Sequence, residues 1–455
     1  MKKIIVSLIW LIGVIPGLTS VIPGLTGNLT AAQPLSANQP WTLEECINYA
    51  LAHNLSVQQS ALQVQQREID LNTAQNSRLP GVAASASQNF SFGRGLTADN
   101  TYANTNTTST GFSLGTDMTL FNGFRTRNTI ELNRLNLKAA TQDLEKARDD
   151  IRVAVAQAYV QILYNQEILD VALRQIEIDS LQVARLETMR DNGKAAAADV
   201  ALQQATLAQS RLTAVQAANN LQLAELEMAQ LLELPSPEGF KVALPAYRDP
   251  VLPVASPDEI YEEALGIKPA ILAEETRLAY AERNIDLAKG GYLPSLSLNG
   301  GLGTNYYTSS GYPNATFFTQ LSNNFSQYLG LSLSVPIFSR MNNRNQVRSA
   351  RVSYEAQQLQ LDQAKKTLFK EIQQAWYNAV AARTKYESSV QAEEAAAQSL
   401  SLVQAKYENG KASITEFNES KNQYLKAASD LAQARCEALY QAGLLAFYRG
   451  KDIQL

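Results

Sequence analysis

The sequence predicts an α+β membrane protein: a few membrane-crossing β-strands joined to α-helices of unusual length, the whole unit present twice in the chain. Three observations predict it. The chain repeats itself at nearly one offset. Short segments of each copy alternate apolar with small polar residues. Two long segments contain no proline, since none of the fifteen lies between Pro80 and Pro235 or after Pro336.

The repeat orders everything else. Trp41–Leu51 resembles Ser256–Leu265, and Arg78-Leu79-Pro80 resembles Tyr292-Leu293-Pro294, at an offset of about 214. Leu120-Phe121-Asn122 with Arg127-Asn128 resembles Ile337-Phe338-Ser339 with Arg344-Asn345, and Asn192-Gly193-Lys194 recurs as Asn409-Gly410-Lys411, at about 217. Single tripeptide matches arise by chance; four in the same order do not. Residues 235–257 hold six prolines and read as an extended linker between the copies.

Lys2 and Lys3 precede the apolar run Ile4–Val14, and small residues follow, so residues 1–32 read as a signal peptide cut near Ala32. An uncleaved anchor is the alternative. No Cys follows the apolar run, so a lipid-modified N-terminus is unsupported. The duplicated Val14–Thr19 and Val21–Thr26 have no physical account. Beyond residue 40 no run of about 18 apolar residues exists, so no helix is expected to span a membrane.

Residues 33–81 and 258–293 read as the first helices of each copy, including Leu55–Leu79. Strands follow in 82–121 and 294–338. Val82, Ala84, Ala86, Phe90 and Phe92 alternate with Ala83, Ser85, Ser87, Asn89 and Ser91. Phe112, Leu114, Met118 and Leu120 alternate with Ser113, Gly115, Asp117 and Thr119. Leu296, Leu298 and Leu302, then Leu329 to Ile337, repeat the pattern. Period two with one apolar and one small polar face suits a transmembrane barrel; a soluble sandwich face is the alternative. Thr97–Thr110 and Thr304–Gln327 read as loops, and aromatic residues near strand ends suit interfacial girdles. Four strands cannot close a barrel, for which about eight is the usual minimum, so further copies must complete it. Two copies give eight strands and three give twelve; the larger ring leaves room for a channel.

Residues 122–234 and 339–448 read as long helical hairpins. Arg125–Asp191 has neither Pro nor Gly and would extend on the order of 100 Å. Leu137, Leu144, Ile151 and Ala158 recur every seven residues, then Ile162, Leu169, Ile176 and Val183 after a shift of four, a heptad with a stutter. Tyr354, Leu361, Leu368 and Ala375 begin a similar series. Helices return from Ala196 to Leu232 and from Ser413 to Tyr448. Leu55–Leu79 and the first returning helix together match the long helix, so they could stack end to end beside it. Residues 449–455 form a tail.

Composition narrows function. The net charge of -4 argues against a nucleic-acid face. One histidine, His53, and two cysteines, Cys46 and Cys436, thin the supply of catalytic and zinc-binding groups, although paired carboxylates stay possible. No nucleotide loop or nucleophile constellation appears, so we expect no enzyme, no metal site and no cofactor.

On Leu43–Leu51, Leu79-Pro80, Leu120-Phe121-Asn122-Gly123, Asn192-Gly193 and their counterparts through Asn409-Gly410, the chain resembles the TolC family of outer-membrane efflux proteins over about residues 41 to 448. The resemblance implies a homotrimer in a Gram-negative outer membrane. Its twelve-stranded barrel would be continuous with an α-helical coiled-coil barrel in the periplasm. Outer-membrane lipid, a periplasmic adaptor and an inner-membrane pump would be its partners.

It also implies roles for residues. Glu416 and Glu419 match two inward acidic positions that ring the periplasmic constriction; unaided, they read equally as a solvated face. Asp199 and Tyr407 match positions that bond across the closed tip, beside the turns at Gly193 and Gly410. The family's second-turn arginine is Ala412 here, with Lys411 or Lys194 as substitutes. Asp117 would face the barrel lumen. The implied function is passive export of small molecules, or protein secretion or metal-ion efflux through the same duct. A trimeric adhesin-like stalk is the alternative of another class.

Overall fold

The computed structural model describes residues 40–96, 100–244, 255–310 and 313–453. The predicted signal peptide and residues 245–254 of the linker lie outside the described residues.

Each copy opens on a capped short helix. Thr42 and Glu45 close a capping box before α1 (Leu43–His53), and Ser256 and Glu259 close the equivalent one before α5 (Pro257–Leu265). Each box satisfies N–H groups that a helix start leaves unpaired. Next come α2 (Leu55–Asn76) in the first copy and α6 (Pro269–Lys289) in the second. The predicted helix to Leu79 ends three residues early, because Pro80 disfavours helical backbone just before it.

The strands are β1 (Gly81–Leu96), β2 (Tyr102–Asn122), β3 (Ser295–Ser309) and β4 (Ser326–Ser334). They form one antiparallel sheet in sequence order. The register sorts the two faces. One row runs Met118, Leu298, Leu331, and another pairs Leu114 with Leu302. The opposite face carries Ser85 beside Ser113 and Gly81 beside Asp117, which adjoins Asn299. Leu114, Leu302, Leu329, Leu331 and Leu333 are all exposed in the single chain, the surface a bilayer would cover. The outer edges of β1 and β4 have no partner within the described chain.

Three expectations change. Tyr102 to Thr110 is strand rather than loop, since β-branched Thr suits the pleat and pairs with β1. The loop after β3 starts past Ser309 and contains α7 (Phe317–Asn323). β4 stops at Ser334 instead of reaching Ile337, because Pro336 has no N–H for the ladder. A bulge at Leu120 also moves Phe121 into the row of Leu296.

At the sheet's foot Gly123 and Phe124 take left-handed backbone before α3 (Arg125–Asp191), as Arg340 and Met341 do before α8 (Asn342–Glu408). Gly123 has a further constraint: a Cβ there would stand 2.4 Å from the Gly290 carbonyl oxygen.

Both long helices have 67 residues, about 100 Å. α4 (Ala197–Leu231) and α9 (Ile414–Tyr448) return beside them. α2 and α4 both pack along α3, and they meet end to end. Asn54 Nδ2 donates to the Leu231 carbonyl at 3.0 Å, and the Leu55 N–H donates to Glu233 Oε1 at 3.3 Å. α6 lies between α3 and α8, held by Arg277 donating to both carboxylate oxygens of Asp143.

The largest core sits near this junction. Trp41, Cys46 and Ala50 pack against Val155, Tyr159 and Ile162 of α3 and Met228 of α4. The Tyr159 hydroxyl donates to the Trp41 and Ala243 carbonyls at 3.1 and 2.5 Å, pinning the segments around α1. A second core joins Ile260 and Ile271 to Leu368, Ile372 and Leu445.

Candidate constriction at the helical tip

The two hairpin turns are built alike. Asn192 and Asn409 end the long helices, and Gly193 and Gly410 follow at φ of +70° and +68°. Only glycine takes that region cheaply. Each Asn side chain donates to a carbonyl four residues back, Asn192 to Thr188 and Asn409 to Ala405, both at 2.7 Å. The N–H groups of Lys194 and Lys411 close the turns on Met189 and Lys406, each at 2.8 Å. Both Lys residues are exposed.

The returning helices start differently. Ser413 caps α9 with a capping box, and Glu416 completes it by accepting from the Ser413 N–H at 2.7 Å and hydroxyl at 3.1 Å. These bonds hold the Glu416 carboxyl below the usual glutamate range. Glu416 is therefore fixed in place as well as charged. Glu419 follows one turn later, exposed and without a hydrogen-bond partner among the described residues. Ala196 caps α4 with no side-chain bond, and Asp199 sits in its first turn.

Tyr407 joins the two hairpins. Its ring stacks on Phe417 at 5.3 Å and 19°, and the Arg185 guanidinium lies over it at 5.2 Å. Arg185 also reaches Glu408 at 4.0 Å. Burial pushes the Tyr407 phenol up; Arg185 opposes that and the Asp199 charge adds to it. No hydrogen bond joins Asp199 to Tyr407 among the described residues. Arg185 of α3 thus brings a guanidinium to the second hairpin's tip, where residue 412 is Ala.

Above the tip is a group that sequence reasoning missed. Asp179 of α3 and Lys421 of α9 form an ion pair, and each is 0% exposed. Removing one partner of such a pair costs about 3–5 kcal/mol, because the other charge is left buried and unpaired. Of the predicted seam, Ile162 and Val183 are buried and Leu169 and Ile176 half-buried; Ala172, Gln175, Asp179, Gln182 and Leu186 form a second buried row beside it. That row alternates steps of three and four, so an Asp at its centre was the available signal.

The remaining sites are quieter. Asp117 stands on the polar face of the sheet between Gly81 and Asn299. His53 stacks on Tyr49 at 4.0 Å, with Nδ1 2.9 Å from the Tyr49 carbonyl. Cys46 and Cys436 lie in one core as free thiols, and burial pushes both up to about 12. Among the described residues no cluster could hold a metal ion, and no helix is long and apolar enough to cross a membrane.

The model of the outer membrane efflux protein family matches residues 46–233 and again 260–448. The cation efflux system protein CusC of Escherichia coli K12 is 27% identical over 410 residues, covering 83% of this chain and 79% of that protein. Protein CyaE of Bordetella pertussis is 25% identical, covering 87% and 82%. The crystal structure of the Campylobacter jejuni CmeC outer membrane channel superposes with a TM-score of 0.75 at 18% identity, covering 91% and 87%.

Proposed function

The chain belongs to the outer membrane efflux protein family, the TolC family, and from that premise we propose that three copies form one exit duct fed by a periplasmic adaptor and an inner-membrane pump. It is an outer-membrane channel of a Gram-negative bacterium, not an enzyme. The observation that carries the reading is the four-stranded sheet with two open edges on a chain whose halves both match the family. Unpaired backbone in lipid costs several kcal/mol per group, so the edges must close on other copies. Three copies give twelve strands, wide enough for a lumen that Asp117 keeps polar. Small molecules, such as drugs and toxic compounds, are the cargo that a pump-fed duct of this kind carries.

Glu416 and Glu419 form two acidic rings at the periplasmic entrance, and Asp199, Tyr407, Lys194 and Lys411 surround the closed tip. Rings of carboxylate favour cations. The test is conductance of the purified trimer in planar bilayers, beside its oligomer mass. Glu416→Ala with Glu419→Ala should lower cation selectivity and block by multivalent cations; unchanged selectivity would remove the rings from the mechanism. Asp199→Ala with Tyr407→Phe should raise the resting conductance, and a parental value would count against the tip contacts.

Metal-cation export is the second reading, favoured by the likeness to a protein named for cation efflux. The type of pump encoded beside this gene separates the two.

A further inference from the structure

We propose that Asp179 and Lys421 are a clamp that fixes the rotation of α9 against the first hairpin, and so sets where Glu416 and Glu419 point. Both are positioning residues for the constriction, and the inference rests on the duct reading above.

The pair joins the two copies of the repeat, 242 residues apart in sequence. It is buried within one chain, before any neighbouring copy adds cover. Its hydrogen bonds are directional and numerous. Asp179 Oδ1 accepts from Lys421 Nζ and from Gln203 Nε2, the latter at 3.1 Å. Asp179 Oδ2 accepts from Gln175 Nε2 and Ser210 Oγ, each at 2.6 Å. Lys421 also donates to Asn418 Oδ1 at 3.3 Å, and Asn418 Nδ2 donates to Gln203 Oε1 at 3.1 Å. Three helices, α3, α4 and α9, therefore share one closed network.

An apolar contact at this place would hold the helices together but tolerate slippage. A charge aimed at one carboxylate does not. Lys421 follows Glu419 by two residues and Glu416 by five, within two turns of one helix. Turning α9 enough to swing those carboxylates off the axis would strand Asp179 among buried neighbours. The repeat supplies a control. The positions matching Asp179 and Lys421 in the other copy are Ala396 and Gln204, and Gln204 is an exposed residue bonded to Glu187 at 3.0 Å. Hairpin packing as such does not need the charges; they occur only where the helix carries the acidic pair.

The test uses the full-length trimer in planar bilayers. Asp179→Leu with Lys421→Met removes both charges and leaves a packed apolar contact. That variant should assemble, conduct several-fold more at rest, and lose much of the block by multivalent cations that Glu416 and Glu419 confer. Asp179→Asn, which keeps the shape but turns one of the two acceptor oxygens into a donor, should fall between it and the parent. An assembled double variant with parental conductance and parental block would overturn the proposal. So would failure of both variants to assemble, since the pair would then serve folding alone. A parental trimer that does not conduct would instead overturn the duct reading, and the clamp with it.

Discussion

The two hairpin tips are copies that have diverged at specific places. The turns match: Asn then Gly, the same left-handed glycine, the same side-chain bond four residues back. Past the turn they differ. Ser413 caps α9 and orders Glu416, where Ala196 gives α4 no cap and leaves Asp199 out of any box. Lys421 is buried on Asp179, where its counterpart Gln204 is exposed. The backbone solution is common to both copies because a tight reversal between long helices has few geometries. The side chains differ: α9 carries two carboxylates past its turn, Glu416 and Glu419, where α4 carries Asp199 alone at the matching positions.

The comparison breaks first at the buried pair. Lys421→Ala should cost about 3–5 kcal/mol, leaving Asp179 unpaired. Gln204→Ala, at the matching surface position, should stay within about 0.5 kcal/mol. Denaturant unfolding of the solubilised protein measures both, and equal costs would erase the asymmetry. The turns should respond alike instead: Gly193→Ala and Gly410→Ala each cost about 1–2 kcal/mol, the penalty for a Cβ in left-handed backbone. A large difference between them would mean that one turn is held by contacts the other lacks.

Smaller effects belong to the caps. Ser413→Ala should destabilise by about 1 kcal/mol, and Ala196→Ser should gain a few tenths. The same bonds predict a pH dependence. Glu416 is more acidic folded than unfolded, so its contribution is present above the ordinary glutamate value of 4.5 and is lost as pH falls through the lower folded value. Channels of the Ser413→Ala protein should therefore lose the Glu416 share of cation selectivity at a higher pH than the parent. Selectivity titrations that coincide would separate the cap from the constriction.

Much of this architecture is legible in the residues. Arg125 to Asp191 contains neither Pro nor Gly and lies between Gly123 and Gly193, and the helix occupies that span. Strand faces follow from alternation, although the start of β2 reads as a loop in the sequence because it is rich in Thr and Asn. Glu416 stands out in the sequence only through the family resemblance, since by itself it reads as part of a solvated helix face. That Glu416 caps its own helix through Ser413 is legible in the Ser-x-x-Glu spacing.

Periodicity and punctuation are local properties, so the sequence alone determined the duplication, the helix lengths and the strand pairs. Burial is not local. Asp179 and Lys421 each look like members of a solvated helix face until three helices close over them. The bulge at Leu120, the meeting of α2 with α4, and Arg185 standing over Tyr407 likewise depend on neighbours distant in the chain. Tertiary packing decides them, because whether a polar group is costly or useful depends on what replaces its water.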